Sequence, residues 1–227
     1  MTAADSATNS SSKPAAPKQR AADVAYDMLE SMIVTLQLKP GTPIVEAELV
    51  EATGLGRTPL REALMRMSTN GLIVQLPRRG LIVSDIELAE HLTLIETRRA
   101  LERLIAASAA RRATPQQRKE ILSYAKKMVA AARKNDLQAY MQADQGLDHV
   151  SHQACRNPSA VAAVIPQVIK CRRFWYAFQH EGDIDAAAKC HMLLATAIAN
   201  GDPEAAISGA EALMDYLDLF ARKVIDN

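Results

Sequence analysis

The apolar residues Val24, Met28, Met32 and Leu36 recur every four positions, a helical stripe over residues 21 to about 37 that Lys39-Pro40-Gly41 ends. A short helix is predicted near residues 46 to 52. The tight turn Thr53-Gly54-Leu55-Gly56 then leads into a third, over residues 58 to about 70, with Gly71 as its C-cap. Thr58-Pro59 marks its start, because threonine can cap a helix and proline's fixed φ suits the first turn. Beyond Gly71 the period shortens. Residues 72–76 and 81–84 are β-prone runs around Pro77-Arg78-Arg79-Gly80, which predicts a hairpin with two arginines at its tip. Three helices and a basic hairpin predict a winged helix-turn-helix over residues 21–84.

After Asp85 the pattern is helical throughout. Residues 86 to 112 form one long amphipathic stretch. Thr114-Pro115 opens a second, to about 134, Asn135-Asp136 a third, to about 155, and Asn157-Pro158 a fourth, to about 180. Gly182-Asp183 and Gly201-Asp202-Pro203 open two more, to 200 and about 224. The expected fold is mainly α: the winged helix-turn-helix followed by an all-helical bundle over residues 85–227. Residues 1–20, mostly Ser, Ala, Pro, Lys and Asn, are expected to be a disordered tail.

Composition agrees with a helical globular protein, at 48% hydrophobic and only 4% aromatic residues. The net charge of +1 suggests no polyanion partner, but its distribution does. From Asp23 to Glu51 there are six acids against Lys39 alone; from Arg57 to Gly80 there are five arginines against Glu62 alone. A neutral chain with one basic face suits DNA binding. Arg57, Arg61 and Arg66 lie on the third helix, whose free N-terminal N–H groups suit phosphate and whose arginines suit base edges. Glu62 is expected to be a surface or intradomain ion pair. Cys155, Cys171 and Cys190 have neither metal nor CxxC spacing and read as reduced residues. With no membrane-length apolar run and no signal-peptide core, a cytoplasmic protein is expected.

The segments Leu38-Lys39-Pro40-Gly41, Glu48-Leu49, Gly56-Arg57-Thr58-Pro59-Leu60-Arg61-Glu62-Ala63-Leu64, Gly71-Leu72 and Pro77-Arg78-Arg79-Gly80 resemble the winged-helix domain of the GntR family of bacterial transcription regulators. The helical remainder is similar to the FCD ligand-binding domain of the FadR-like subfamily, through Arg98, Glu102, Asp144, Asn157, His191 and Gly201-Asp202. The resemblance implies DNA contacts from Arg57, Thr58, Arg61 and Arg66, with Arg78, Arg79 and Gly80 in the wing. Arg57 and Arg61 are the expected base readers and Arg66 a phosphate clamp. The implied partners are a double-stranded DNA operator, a second copy of the chain, and a small effector, an organic acid by analogy, with repression relieved by ligand.

The resemblance also implies a divalent metal site made of an Asp, a His one helical turn on, and two further His. Here Asp144 takes the first position, Asp148 replaces the second, His191 matches the third, and the fourth falls at about Leu213. Asp144, Asp148 and His152 lie on one helical face and can hold Zn, Mn or Ni with His191. The alternative is a pocket of polar residues that needs no metal, and no cofactor is required for the expected function. Arg98 either forks onto an effector carboxylate beside Asp144, Asp148 and His191, or pairs with Glu102 at i,i+4. Arg172 and Arg173 are candidates to line the pocket, while Phe174, Trp175 and Tyr176 suit a core or interface. Two rivals stand: a metal-dependent helical enzyme built on Asp144, Asp148 and His191 with a DNA-targeting module, and an architectural DNA binder with an inactive pocket. No Ser or Cys nucleophile beside a base, phosphate-binding Gly loop or HExxH motif supports the enzyme.

Overall fold

A computed structural model of the chain describes residues 20–226. Apart from Arg20, the expected disordered tail lies outside the described residues. Among the described residues the order is α1 (Ala21–Val34), α2 (Glu46–Thr53), α3 (Arg57–Thr69), β1 (Ile73–Leu76), β2 (Gly80–Val83), α4 (His91–Arg112), α5 (Pro115–Ala132), α6 (Leu137–Cys155), α7 (Pro158–Phe178), α8 (Ile184–Asn200) and α9 (Pro203–Asp226). The mainly helical class and the two-part organisation, a winged head and a helical bundle, are as expected.

In the head, α1 packs on α3 and buries Leu29, Ile33, Leu60, Met67, Leu72, Ile73 and Val83. The wing is an antiparallel pair running from Ile73 opposite Val83 to Leu76 opposite Gly80. Positive φ angles at Arg78 (63°) and Gly80 (75°) close its three-residue turn, and only at the second is the left-handed backbone free of steric cost. A third edge was not foreseen: Pro43 bridges Ile82, and the N–H groups of Gly41 and Ile44 donate to the carbonyls of Val83 and Leu81. It ties the α1–α2 connection to the base of the wing.

Three expectations about the elements change. Helix α1 ends at Val34, because Leu36 adopts φ 58° and the Leu38 N–H turns back to the Met32 carbonyl, closing the helix. Helix α3 starts one residue early. Gly56 is its N-cap, so Arg57 is already helical and Thr58 does not cap. Helix α4 begins at His91 rather than at residue 86, and it is one-sided only over its first half, where His91, Ile95, Arg98 and Glu102 are buried and Thr93, Glu96, Thr97 and Arg103 are exposed. Residues 105–110 are buried six in a row, because α4 is the central helix, packed against α6, α7, α8 and α9.

Around it the expected starts hold. Thr114 and Gln117 form a capping box on α5, and Asp136, Asn157 and Asp183 accept from the N–H groups of Ala139, Ala160 and Ala186 to start α6, α7 and α8. Head and bundle meet where α1 packs on α7. Beside that contact the guanidinium of Arg173 donates to the backbone oxygen of Ser84 at 2.6 Å.

Candidate DNA interface and effector pocket

The basic face is assembled from α3 and the wing tip. Gly56 caps α3 with no side chain, leaving the first backbone N–H groups available to an anion. Arg57 opens the helix and is exposed. Arg61, one turn on, is exposed, but its Nε donates to both carboxylate oxygens of Glu46 on α2, at 2.9 and 2.8 Å. Arg66 lies over the ring of Tyr26, 4.2 Å from its centroid, and donates to Asp23 at 2.8 Å. Tyr26 also accepts from the Asn70 amide at 2.7 Å, so α1 grips both the middle and the end of α3. Glu62 faces Arg20 at 3.3 Å, a surface pair. Arg78 and Arg79 are exposed at the wing tip, with Gly80 beside them. Thr58 sits between Arg57 and Pro59 on the same exposed end.

The second site is a half-open pocket in the bundle, with a cavity volume of about 40 Å³ within about 400 Å³ of space that includes solvent at its mouth. Arg98 from α4, Tyr140 and Asp144 from α6, Arg172 and Trp175 from α7, and His191 from α8 supply its polar and aromatic wall. Met141, Val168, Leu213 and Leu217 supply the apolar one. Trp175 stacks on Tyr140 and donates to the Tyr216 hydroxyl at 3.0 Å, which makes the aromatics wall as well as core. Arg98 forms the expected pair with Glu102. Its Nε donates to Glu102 at 2.9 Å, in a pair that is nearly fully buried, and its side chain also faces the cavity. No hydrogen bond to a protein oxygen engages its terminal amino groups among the described residues; the Cys171 thiol is their neighbour. Burial disfavours the guanidinium charge, but Glu102, the Cys171 thiol and Asp148 together outweigh that and raise its pKa.

The acidic residues expected beside Arg98 are organised by an arginine. Arg172 donates through Nε to Asp144 (2.5 Å), through Nη2 to Asp148 (2.6 Å) and through Nη1 to Glu30 of α1 (2.8 Å). Asp144 also meets His191 Nε2 at 3.1 Å, while His191 Nδ1 lies 2.8 Å from the Ala187 carbonyl. Burial pushes the Asp144 carboxyl up, yet Arg172 and His191 prevail and hold it well below the usual range. His191 moves up for the reciprocal reason: its burial cost is outweighed by Asp144. Asp148 is raised by burial and by Asp144, and Glu30 is pushed up to about 7 by burial, which one guanidinium shared among three carboxylates does not offset.

This arrangement does not fit the divalent ion expected at Asp144, Asp148 and His191. His191 is a single imidazole there, with Nδ1 at the Ala187 carbonyl and Nε2 already engaged with Asp144. Asp148 points at Arg172, and Leu213, at the fourth position, is an apolar part of the wall. His152 lies one turn past Asp148 on α6. Among the described residues no three His, Cys, Asp or Glu side chains are placed to hold a metal ion. The cation that two adjacent carboxylates demand is Arg172.

Glu30 and Arg172 were missed as partners in the sequence. Both left a trace there: each is a charge on an otherwise buried helical stripe. Glu30 lies between Tyr26 and Ile33, and Arg172 follows Val168 and precedes Trp175.

A winged DNA-reading head joined to a helical bundle with a charged pocket defines a ligand-responsive class of transcription regulator. The chain belongs to the gntR family of bacterial regulatory proteins: that family's model matches residues 21–83, and the FCD domain model matches residues 93–216, more than half of the chain. It is a transcription regulator with an effector-binding FCD domain. An uncharacterized HTH-type transcriptional regulator of Agrobacterium vitis, from the TAR-I ttuE-ttuC' intergenic region, is 31% identical over 53% of this chain and 72% of its own length. The HTH-type transcriptional repressor RspR of Escherichia coli is 35% identical, over 44% of each chain, so the match spans less than half of that relative. In fold, the chain is similar to E. coli McbR/YncC, with a TM-score of 0.73 at 19% identity, over 91% of this chain and 100% of that one. Among the described residues no helix is long and apolar enough to cross a membrane.

Proposed function

We propose that the chain is a cytoplasmic, homodimeric repressor whose hold on a pseudo-palindromic DNA operator is loosened by a small carboxylate bound in the bundle cavity. Two α3 helices related by a two-fold axis would read half-sites about one helical turn apart, with Arg57 and Arg61 on base edges, Thr58 and Arg66 on phosphate, and Arg78, Arg79 and Gly80 along the neighbouring groove. RspR is named as a repressor, which favours repression here. The protein acts by binding, not by catalysis, and needs no metal.

One observation carries the effector class. Arg98 is buried against the cavity with its terminal amino groups free of protein oxygens, and a guanidinium edge in that state matches a carboxylate with two parallel hydrogen bonds. Asp144 and His191 would meet a hydroxyl or carbonyl of the same ligand, and Leu213, Leu217 and Trp175 its apolar part. Asp148, turned to Arg172, would act from behind the wall.

A thermal-shift screen of small mono- and dicarboxylates, repeated with operator DNA, tests this. The expected ligand raises the melting temperature and weakens DNA binding, and Arg98→Lys, which keeps the charge but loses the fork, weakens the ligand by about tenfold or more. Turnover of the stabilising compound would point to an enzyme. Stabilisation by neutral or cationic compounds alone would remove the carboxylate from the proposal.

A further inference from the structure

Arg172 stands between the two sites. On one side it lines the cavity and holds Asp144 and Asp148; on the other it holds Glu30, whose side chain is 8% exposed and belongs to the head. The Gln145 amide adds a second donor to Glu30, at 3.4 Å. Glu30 lies one helical turn from Tyr26 and two from Asp23, the residues through which α1 grips Arg66 and Asn70 of α3. A single guanidinium in the bundle is therefore bonded to the helix that carries the DNA-reading helix.

We propose that Arg172 couples the cavity to the DNA-reading head, by sharing one guanidinium between Asp144 and Asp148 at the cavity wall and Glu30 on α1. An anion entering beside Asp144 draws on the same guanidinium, and what Arg172 gives to the cavity it withdraws from Glu30. A buried carboxylate that loses its cation must take up a proton or reach water, so α1 loosens its seat on α7. The coupling is reciprocal, as any linkage between two sites must be. The inference rests on the regulatory reading above and refines how that cavity would act.

The test uses the full-length protein with neither DNA nor effector, so its failure is distinct from a failure to find either ligand. Glu30→Gln keeps the shape and removes the charge. Arg172→Lys keeps a cation for Asp144 and Asp148 but loses the three-way fork. Amide hydrogen exchange across Ala21–Val34 should quicken about tenfold in each variant, with α5 and α8 unchanged, since a hydrogen bond to a charged group is worth that order. The double variant should show no further increase, the sign of one shared interaction. In the Glu30→Gln variant, acrylamide quenching of Trp175, the chain's one tryptophan, should also rise, although Glu30 is on another domain. Unchanged α1 exchange, additive effects of the two substitutions, or unchanged quenching of Trp175 would each overturn the coupling. Loss of protection spread evenly over the bundle would reduce Arg172 to a structural ion pair.

Discussion

His91 is a buried imidazole stacked on Phe174, with ring centroids 3.6 Å apart and planes 11° from parallel. Burial, with Arg98 nearby, lowers its pKa from 6.5 to about 4. The unfolded chain therefore takes up a proton below pH 6.5 that the folded chain refuses until about pH 4. The stability contributed by the neutral ring is complete above pH 6.5 and declines as pH falls towards 4, by about 3 kcal/mol in all. Glu30 acts in the opposite sense, since its raised pKa makes folding more favourable as pH drops through 7. The difference between wild type and His91→Phe isolates the imidazole: urea unfolding at pH 7.5 and 4.5 should give a smaller loss in the variant. Equal losses would mean that the folded chain protonates His91 as readily as the unfolded chain does. The same physics separates what was legible in the sequence from what was not. Asp144, His191 and Arg98 stand out by residue type and spacing on their helices. That Arg172, and not a metal, neutralises the acids depends on three helices meeting, α1, α6 and α7, and no single-helix periodicity contains that distance.

Among the elements, α3 was the most legible and its restraints the least. Its arginines sit on the exposed face with Leu60, Ala63, Leu64 and Met67 buried opposite, a pattern plain in the nine residues from Gly56 to Leu64. Helix α4 was the least legible, because its second half, buried on all sides over residues 105–110, loses the stripe that marks a helix packed on one face. What the α3 pattern did not contain is that Arg61 is held by Glu46 of the short acidic helix before it. DNA must take Arg61 from that carboxylate. The pair is largely exposed and worth at most about 1 kcal/mol, so Glu46→Gln should tighten DNA binding by up to about fivefold, more for operator than for non-operator DNA if Arg61 reads a base. Fluorescence anisotropy with both duplexes measures it. A loss of affinity would mean that Glu46 positions Arg61 for base reading instead of competing with DNA for it.

Across the whole molecule, a chain of net charge +1 that binds DNA must do so with a segregated face, and the salt dependence reports how many copies of that face are engaged. Under the proposed reading, with Arg57 and Arg61 on bases, each copy would place Arg66, Arg78 and Arg79 on phosphate, three contacts that release counterions. A two-fold dimer with six such contacts predicts a slope of log affinity against log salt of about −5, and one copy about −3. Arg66→Gln should make the dimer's slope shallower by about 2 and weaken operator and non-operator duplexes alike. Arg57→Gln should leave the slope unchanged and relax one base position in each half-site. Inserting five base pairs between half-sites would place the second head on the opposite side of the helix and abolish the dimer's advantage, whereas ten would restore part of it. A slope near −3 with binding indifferent to that spacing would mean that each head reads DNA alone, and the cavity would then have to act on one head at a time through its own Arg172.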